Sequence, residues 1–158
     1  METMELVFKS ASSEKAIKKI FDYTIDAFSD SPDFKWTFDE IRHEVSEGWE
    51  LYGAHLGEEI IAAVFLKEED GCLYTKNTAI KMGHQGSGFS HKIKDFIAEQ
   101  AKERRINKIV HYCRIDNFRM YSLNESHGYK KTDRKLGSDG QTVEWVKDLR
   151  DGFVRKKK

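Results

Sequence analysis

The chain has 158 residues, enough for one domain whose core needs neither disulfides nor a structural metal. Hydrophobic residues at 39% and aromatics at 12% exclude wholesale disorder, while 34% charged residues and a mean hydropathy of -0.68 describe a well-solvated globular surface. Formal net charge is zero, and the two cysteines, Cys72 and Cys113, form no CxxC pair, which argues against a disulfide scaffold or a four-ligand zinc site and for a reducing compartment.

In chain order, "MELVFKSAS" reads as a first strand. Ser12 or Ser13 can then cap a helix whose apolar positions run Ala16, Ile17, Ile20, Phe21, Tyr23, Ile25 and Phe28. A loop holding Pro32, the only proline, follows. Thr37 and Glu40 have capping-box spacing, so "TFDEIRHEVSEG" is predicted as a second helix ended by Gly48. "WELYGAHL" and "EIIAAVFLKEE" flank Gly57-Glu58 as a hairpin, and Asp70-Gly71 turns the chain into a third strand, "CLYTKNTAIK". Phe89, Ile93, Phe96, Ile97 and Ala101 form a helical stripe, with Lys92, Lys94, Glu99 and Lys102 expected to face water. "INKIVHYCRI" reads as a buried strand, Asp116 or Asn117 caps "FRMYSLNESH", Gly128 ends that helix, and "YKKTDRKL" and "TVEWVKDL" form a last hairpin. The expected fold is α/β (α+β), a mixed central sheet flanked by helices in the order βααβββαβαββ. It makes one domain over 1–154 with a basic tail over 155–158.

No apolar run approaches the roughly 20 residues of a membrane span, and "METMELVFKSASSEK" lacks a basic segment followed by an apolar one. The expectation is a cytoplasmic protein with no membrane partner. Charge is uneven, acidic from Asp30 to Asp70 and basic in Lys130, Lys131, Arg134, Lys135 and the terminal "RKKK". The basic end reads either as a solvated tail or as a nucleic-acid contact, the latter the lesser expectation.

The stretch "HQGSGFSHK" opens the longest helix. A P-loop needs GxxxxGK and then Ser or Thr, and no lysine is so placed. A dinucleotide fingerprint begun at Gly86 needs a glycine at position 91, where His91 stands. What remains is general: Gly86 and Gly88 free backbone amides to point into one concavity, and the helix start adds partial positive charge, so a diphosphate suits the place. A plain glycine turn is the alternative.

Gln85, Gly88 and Ser90 fall on Q/R-x-x-G-x-G/A, and Thr78-Ala79-Ile80 takes the place of a strand end five residues upstream. Asn117 precedes Gly128 and Tyr129 by eleven and twelve residues. In these features the chain resembles the GNAT (GCN5-related N-acetyltransferase) superfamily, with Ser90 in place of the family's last Gly or Ala. The resemblance implies an acetyltransferase that uses acetyl-CoA as co-substrate, without metal, on a small cationic or peptide primary amine. It implies that Ala79, Ile80 and Lys81 pair with the pantetheine arm, that Gln85, Gly86, Ser87, Gly88, Phe89 and Ser90 bind the pyrophosphate, and that Asn117 touches the arm or simply caps its helix. Oligomeric state stays open, a homodimer included.

Many members carry a tyrosine acid seven residues after the motif asparagine, and here that residue is Asn124. Tyr121, one turn earlier, offers a hydroxyl or only packing. No acid lies on "LYTKNTAIK", so no conventional base is visible. His111 is either a proton relay or a structural histidine, Cys113 packs, and His84 and His91 lack partners at metal-ligand spacing. Asp30, Asp33, Phe34, Trp36 and Phe38 either favour a cationic acceptor or divide into surface acids and core rings. An acyl-CoA-binding module with little catalysis is the rival reading.

Overall fold

The computed structural model describes residues 5–25, 28–29, 36–81, 88–115, 117–136 and 140–151. Strand β1 (Leu6–Ala11) leads to α1 (Glu14–Tyr23), a short β2 (Phe28–Ser29) and α2 (Phe38–Ser46). Strands β3 (Glu50–Leu56), β4 (Glu59–Glu69) and β5 (Cys72–Ile80) then run antiparallel in succession. Helix α3 (Phe89–Glu103), β6 (Lys108–Arg114), α4 (Phe118–Ser126), β7 (Lys130–Leu136) and β8 (Thr142–Asp148) complete the order. The sheet runs β1-β3-β4-β5-β6-β8-β7, and β5 with β6 is its parallel pair. Among the described residues no helix is long and apolar enough to cross a membrane.

Local chemistry sets most boundaries. Ser13 Oγ accepts from the Ala16 amide and Thr37 Oγ1 from the Glu40 amide, so each helix starts where a side chain satisfies an orphan donor. Asp70 and Gly71 both have positive φ, 52° and 77°, the geometry of a two-residue turn whose twist suits the β4–β5 hairpin. At Gly53 a Cβ would come within 3.1 Å of Ile20, so glycine lets α1 lie close against β3.

The sheet has two covered faces. Ile17, Ile20 and Ile41 of α1 and α2 pack on Leu51, Ala63 and Phe65, while Ile93, Ile97 and Ala101 of α3 pack on the opposite row Ala62, Val64 and Leu66. Met120 and Tyr121 of α4 join the α3 side.

Three sequence expectations change. The first helix stops at Tyr23 rather than running through Phe28, because buried Thr24 turns its hydroxyl back to the Ile20 carbonyl (2.7 Å) and accepts from Trp36 Nε1 (3.0 Å). Ile25, expected in the helical stripe, is 66% exposed, and Phe28 enters β2, an added strand in the expected order. Lys94, expected in water, is 5% exposed, since it flanks Ala101 on a buried face wider than the apolar stripe alone.

Candidate active site

The parallel pair β5–β6 is short. Its register runs from Cys72↔Lys108 to Thr75↔His111, after which no further pair of that ladder forms although both strands continue. β4 stays with β5 as far as Ile80, across a bulge where Val64 faces both Asn77 and Thr78 between the pairs Phe65↔Lys76 and Ala63↔Ala79. The two-residue alternation of faces along β5 therefore breaks at the bulge. Above it the edge turned from β4 is taken by β2, with Phe28↔Ile80 and Ser29↔Ala79, and the Lys81 amide donates to the Ile61 carbonyl at 2.7 Å. The edge of Ala79 and Ile80 that is turned from β4 is thus occupied by β2. A guest pairing there takes the place of β2.

At the end of β5 the chain passes into α3. Gly88 caps that helix at φ 82°, a left-handed conformation suited to glycine, and it brings no side-chain acceptor to the first-turn amides. Phe89 and Ser90 form that first turn. Gln85, Gly86 and Ser87, with His84, lie outside the described residues. Asn117 caps α4, its Oδ1 accepting from the Met120 amide at 3.2 Å.

The candidate catalytic residues separate into two places. His111 and Asn124 are both fully buried, with His111 Nδ1 3.2 Å from Asn124 Nδ2 and 3.3 Å from Lys94 Nζ. Nδ1 is thus within hydrogen-bond reach of both the Lys94 amine and the Asn124 side-chain amide. Lys94 also stands 4.4 Å over the ring of Tyr129, whose hydroxyl is pushed well above its ordinary pKa by burial. Tyr121 is set apart, edge-on to Trp145 at 5.1 Å with Lys131 Nζ 5.6 Å from its ring centre.

Around His111 the sheet holds polar atoms without partners. Thr75 lies beside it on β5 and Trp145 opposite it on β8, and both Thr75 Oγ1 and Trp145 Nε1 are buried with no hydrogen-bond partner. Of the two, Thr75 Oγ1 stands at the point where β5 and β6 part, and an orphaned hydroxyl there fits a site for a polar guest lying between them.

On the α1/α2 face, remote in sequence and so missed there, Tyr74 and Tyr112 stack at 6.2 Å beside Glu144. Glu144 accepts from Thr132 Oγ1 (3.1 Å) and from Tyr112 (3.4 Å), with Arg134 at 3.4 Å. Burial, and then the Glu144 charge, push the Tyr112 hydroxyl up to about 12. The signal available in sequence was only strand alternation, Tyr112 and Glu144 each falling between core positions.

Trp36 and Phe38 are partly buried and pack against the α1/α2-side core. Trp36 meets Phe65 edge-on at 6.2 Å besides its bond to Thr24, and Phe38 lies near Lys18 and Arg42. Asp30, Asp33 and Phe34 lie outside the described residues. His91 Nδ1 meets His127 Nε2 at 2.8 Å, and among the described residues no group of three His, Cys, Asp or Glu could hold a metal. Cys113 is buried in the α3-side core and Cys72 is partly buried, and neither forms a disulfide.

A short parallel pair that opens toward a glycine-started helix, inside an otherwise antiparallel sheet, is the arrangement of the GNAT acetyltransferases, and this chain has the GNAT fold. Solved structures similar to it include the ribosomal-protein-S18-alanine N-acetyltransferase from Escherichia coli, 12% identical over 92% of this chain and 94% of that one, with a TM-score of 0.73. An acetyltransferase from Bacillus subtilis in complex with CoA is 20% identical over 92% of this chain and 99% of that one, at 0.70. A GNAT family acetyltransferase from Elizabethkingia anophelis with acetyl-CoA bound is 18% identical over 91% of this chain and 98% of that one, at 0.71. No protein-family model matches the sequence, and no curated protein matches it.

Proposed function

We propose that this protein is an acetyl-CoA-dependent N-acetyltransferase that passes the acetyl group directly to a primary amine. The observation that carries the reading is the parting of β5 and β6 after Thr75↔His111, directed toward the uncapped start of α3. CoA and acetyl-CoA in the B. subtilis and E. anophelis structures support it. The co-substrate supplies an activated acyl thioester. Gln85 to Ser90 hold the diphosphate at the helix start, where backbone amides and partial positive charge favour an anion. Ala79 to Lys81 and Asn117 flank the pantetheine arm, with β2 yielding the edge it holds.

Tyr121 is the proposed proton donor to the departing thiolate, and the buried His111 and Asn124 position the strand and helix on which the site is built. The acceptor approaches on the α1/α2 face, where Glu144 beside the stacked rings of Tyr74 and Tyr112 suits a cationic amine. Thiol release measured on a panel of polyamines, aminoglycosides, amino acids and peptide N-termini tests the reading. Turnover with a cationic amine is expected, and Tyr121→Phe should lower kcat by about 100-fold with the KM for acetyl-CoA unchanged.

A second reading, an acyl-CoA-binding module with little catalysis, is favoured by Asn124, fully buried where the resembling family carries its acid. Tight acetyl-CoA binding by calorimetry without turnover on any amine would select it.

A further inference from the structure

Thr75 is 1% exposed, its hydroxyl has no hydrogen-bond partner, and it occupies the last register pair before β5 and β6 separate. Interiors rarely leave a hydroxyl so placed, because it has lost water and gained nothing. Its neighbours on the same face, Leu73 and Ile109, are apolar core residues. Valine has the same branched shape, the same preference for strands and no polar atom to bury, so packing alone would favour it over threonine. The hydroxyl is therefore explained by something that enters.

Distance identifies what arrives there. From Ile80, where β5 ends, back to Thr75 is five residues, roughly 16 Å at the rise of a strand. An extended pantetheine arm of about twelve bonds from phosphate oxygen to sulfur spans roughly 14 Å at the bond lengths that set the reach of a peptide chain. An arm whose phosphate lies level with the end of β5 brings its sulfur, and the acyl group beyond it, to the level of Thr75. His111 in the same row has turned Nδ1 to Lys94 and Asn124, and Trp145 lies on the far side of His111 from the opening. Thr75 is the donor that the opening reaches.

Building on the acetyl-CoA reading above, we propose that the Thr75 hydroxyl donates a hydrogen bond to the carbonyl oxygen of the acyl thioester. It thereby distinguishes the loaded co-substrate from free CoA. No bond is made or broken by Thr75 itself; it orients the carbonyl and favours the negative charge that grows on oxygen when an amine attacks.

The test compares wild type, Thr75→Val and Thr75→Ser by calorimetry with acetyl-CoA and with CoA, and by thermal denaturation without ligand. Thr75→Val should weaken acetyl-CoA binding roughly 3- to 10-fold and leave CoA binding unchanged. Its ligand-free melting temperature should stay level or rise by roughly 2–4 °C, because an unpaired buried hydroxyl has been removed. Thr75→Ser should keep the preference for acetyl-CoA. Equal loss for both ligands would assign the hydroxyl to the arm and overturn the proposal. So would loss for neither, or a lower melting temperature in Thr75→Val, which would show a partner within the resting protein. Failure of the wild type to bind either ligand would overturn the acetyl-CoA reading and this proposal with it, whereas wild-type binding unchanged in Thr75→Val overturns this proposal alone.

Discussion

Asn124 stands where the resembling family carries its acid, and it makes a structural contact there. Fully buried on α4, it spends its amide on His111 of β6, which also meets Lys94 of α3, so three elements share one polar knot inside an apolar core. Such a knot stabilises only while every member is satisfied. Asn124→Leu keeps the volume and removes the amide, so it should lower unfolding stability by about 1–3 kcal/mol, read from the urea midpoint. No change would show that the contact is incidental. Of this knot the sequence showed one strand in the departure at position 124, where an expected tyrosine is missing. It hid Lys94, because the groups that its amine meets, His111 and the ring of Tyr129, lie 17 and 35 positions further along the chain and no periodicity reports them.

Between elements, the clasp joining β3 to the end of α3 makes a pH prediction. Arg104 donates to both oxygens of Glu50 at 2.7 and 2.9 Å and to the Tyr52 hydroxyl at 3.0 Å. Burial by itself would raise the Glu50 carboxyl, but the Arg104 hydrogen bonds and charge outweigh it and hold the group below its ordinary value. A carboxyl lowered in the folded state binds protons more readily when unfolded. Its contribution is therefore present above the unfolded pKa and is lost as pH falls through the folded one. Glu50 is 44% exposed, so solvent screening keeps the pair within about 0.2–1 kcal/mol. Glu50→Gln should lower the urea midpoint at pH 7, with a smaller deficit at pH 3; an equal deficit at both would refute an ionic origin. Element boundaries set by one residue's chemistry, such as the Ser13 and Thr37 caps and the Asp70-Gly71 turn, were readable in sequence. The stop at Thr24 was not, since it depends on Trp36 twelve residues away, and β2 is too short to show any alternation.

Across the whole molecule, helix stripes and hairpin turns gave the order of elements because each is a local signal. The opening of β5 from β6 is a property of two strands separated by a helix, and its boundary at Thr75↔His111 follows from register alone. On the proposed acetyl-CoA reading, the same opening makes the protein's stability responsive to that ligand. A ligand that fills the split binds only the folded chain, so at about 100 times Kd it adds about 2.7 kcal/mol. In a domain of 158 residues each kcal/mol moves the melting temperature by about 2–4 °C, giving a rise of roughly 5–11 °C with acetyl-CoA. ATP and NAD at the same concentration should produce no comparable shift, because the loop lacks both the P-loop lysine and the third glycine of the dinucleotide fingerprint. Hydrogen exchange gives the shift a location. If the arm takes the place of β2, the amides of residues 28–29 lose protection on binding while those of 79–80 keep theirs. Stabilisation by ATP equal to that by acetyl-CoA would instead mean that any phosphate at the start of α3 suffices and that the split contributes nothing.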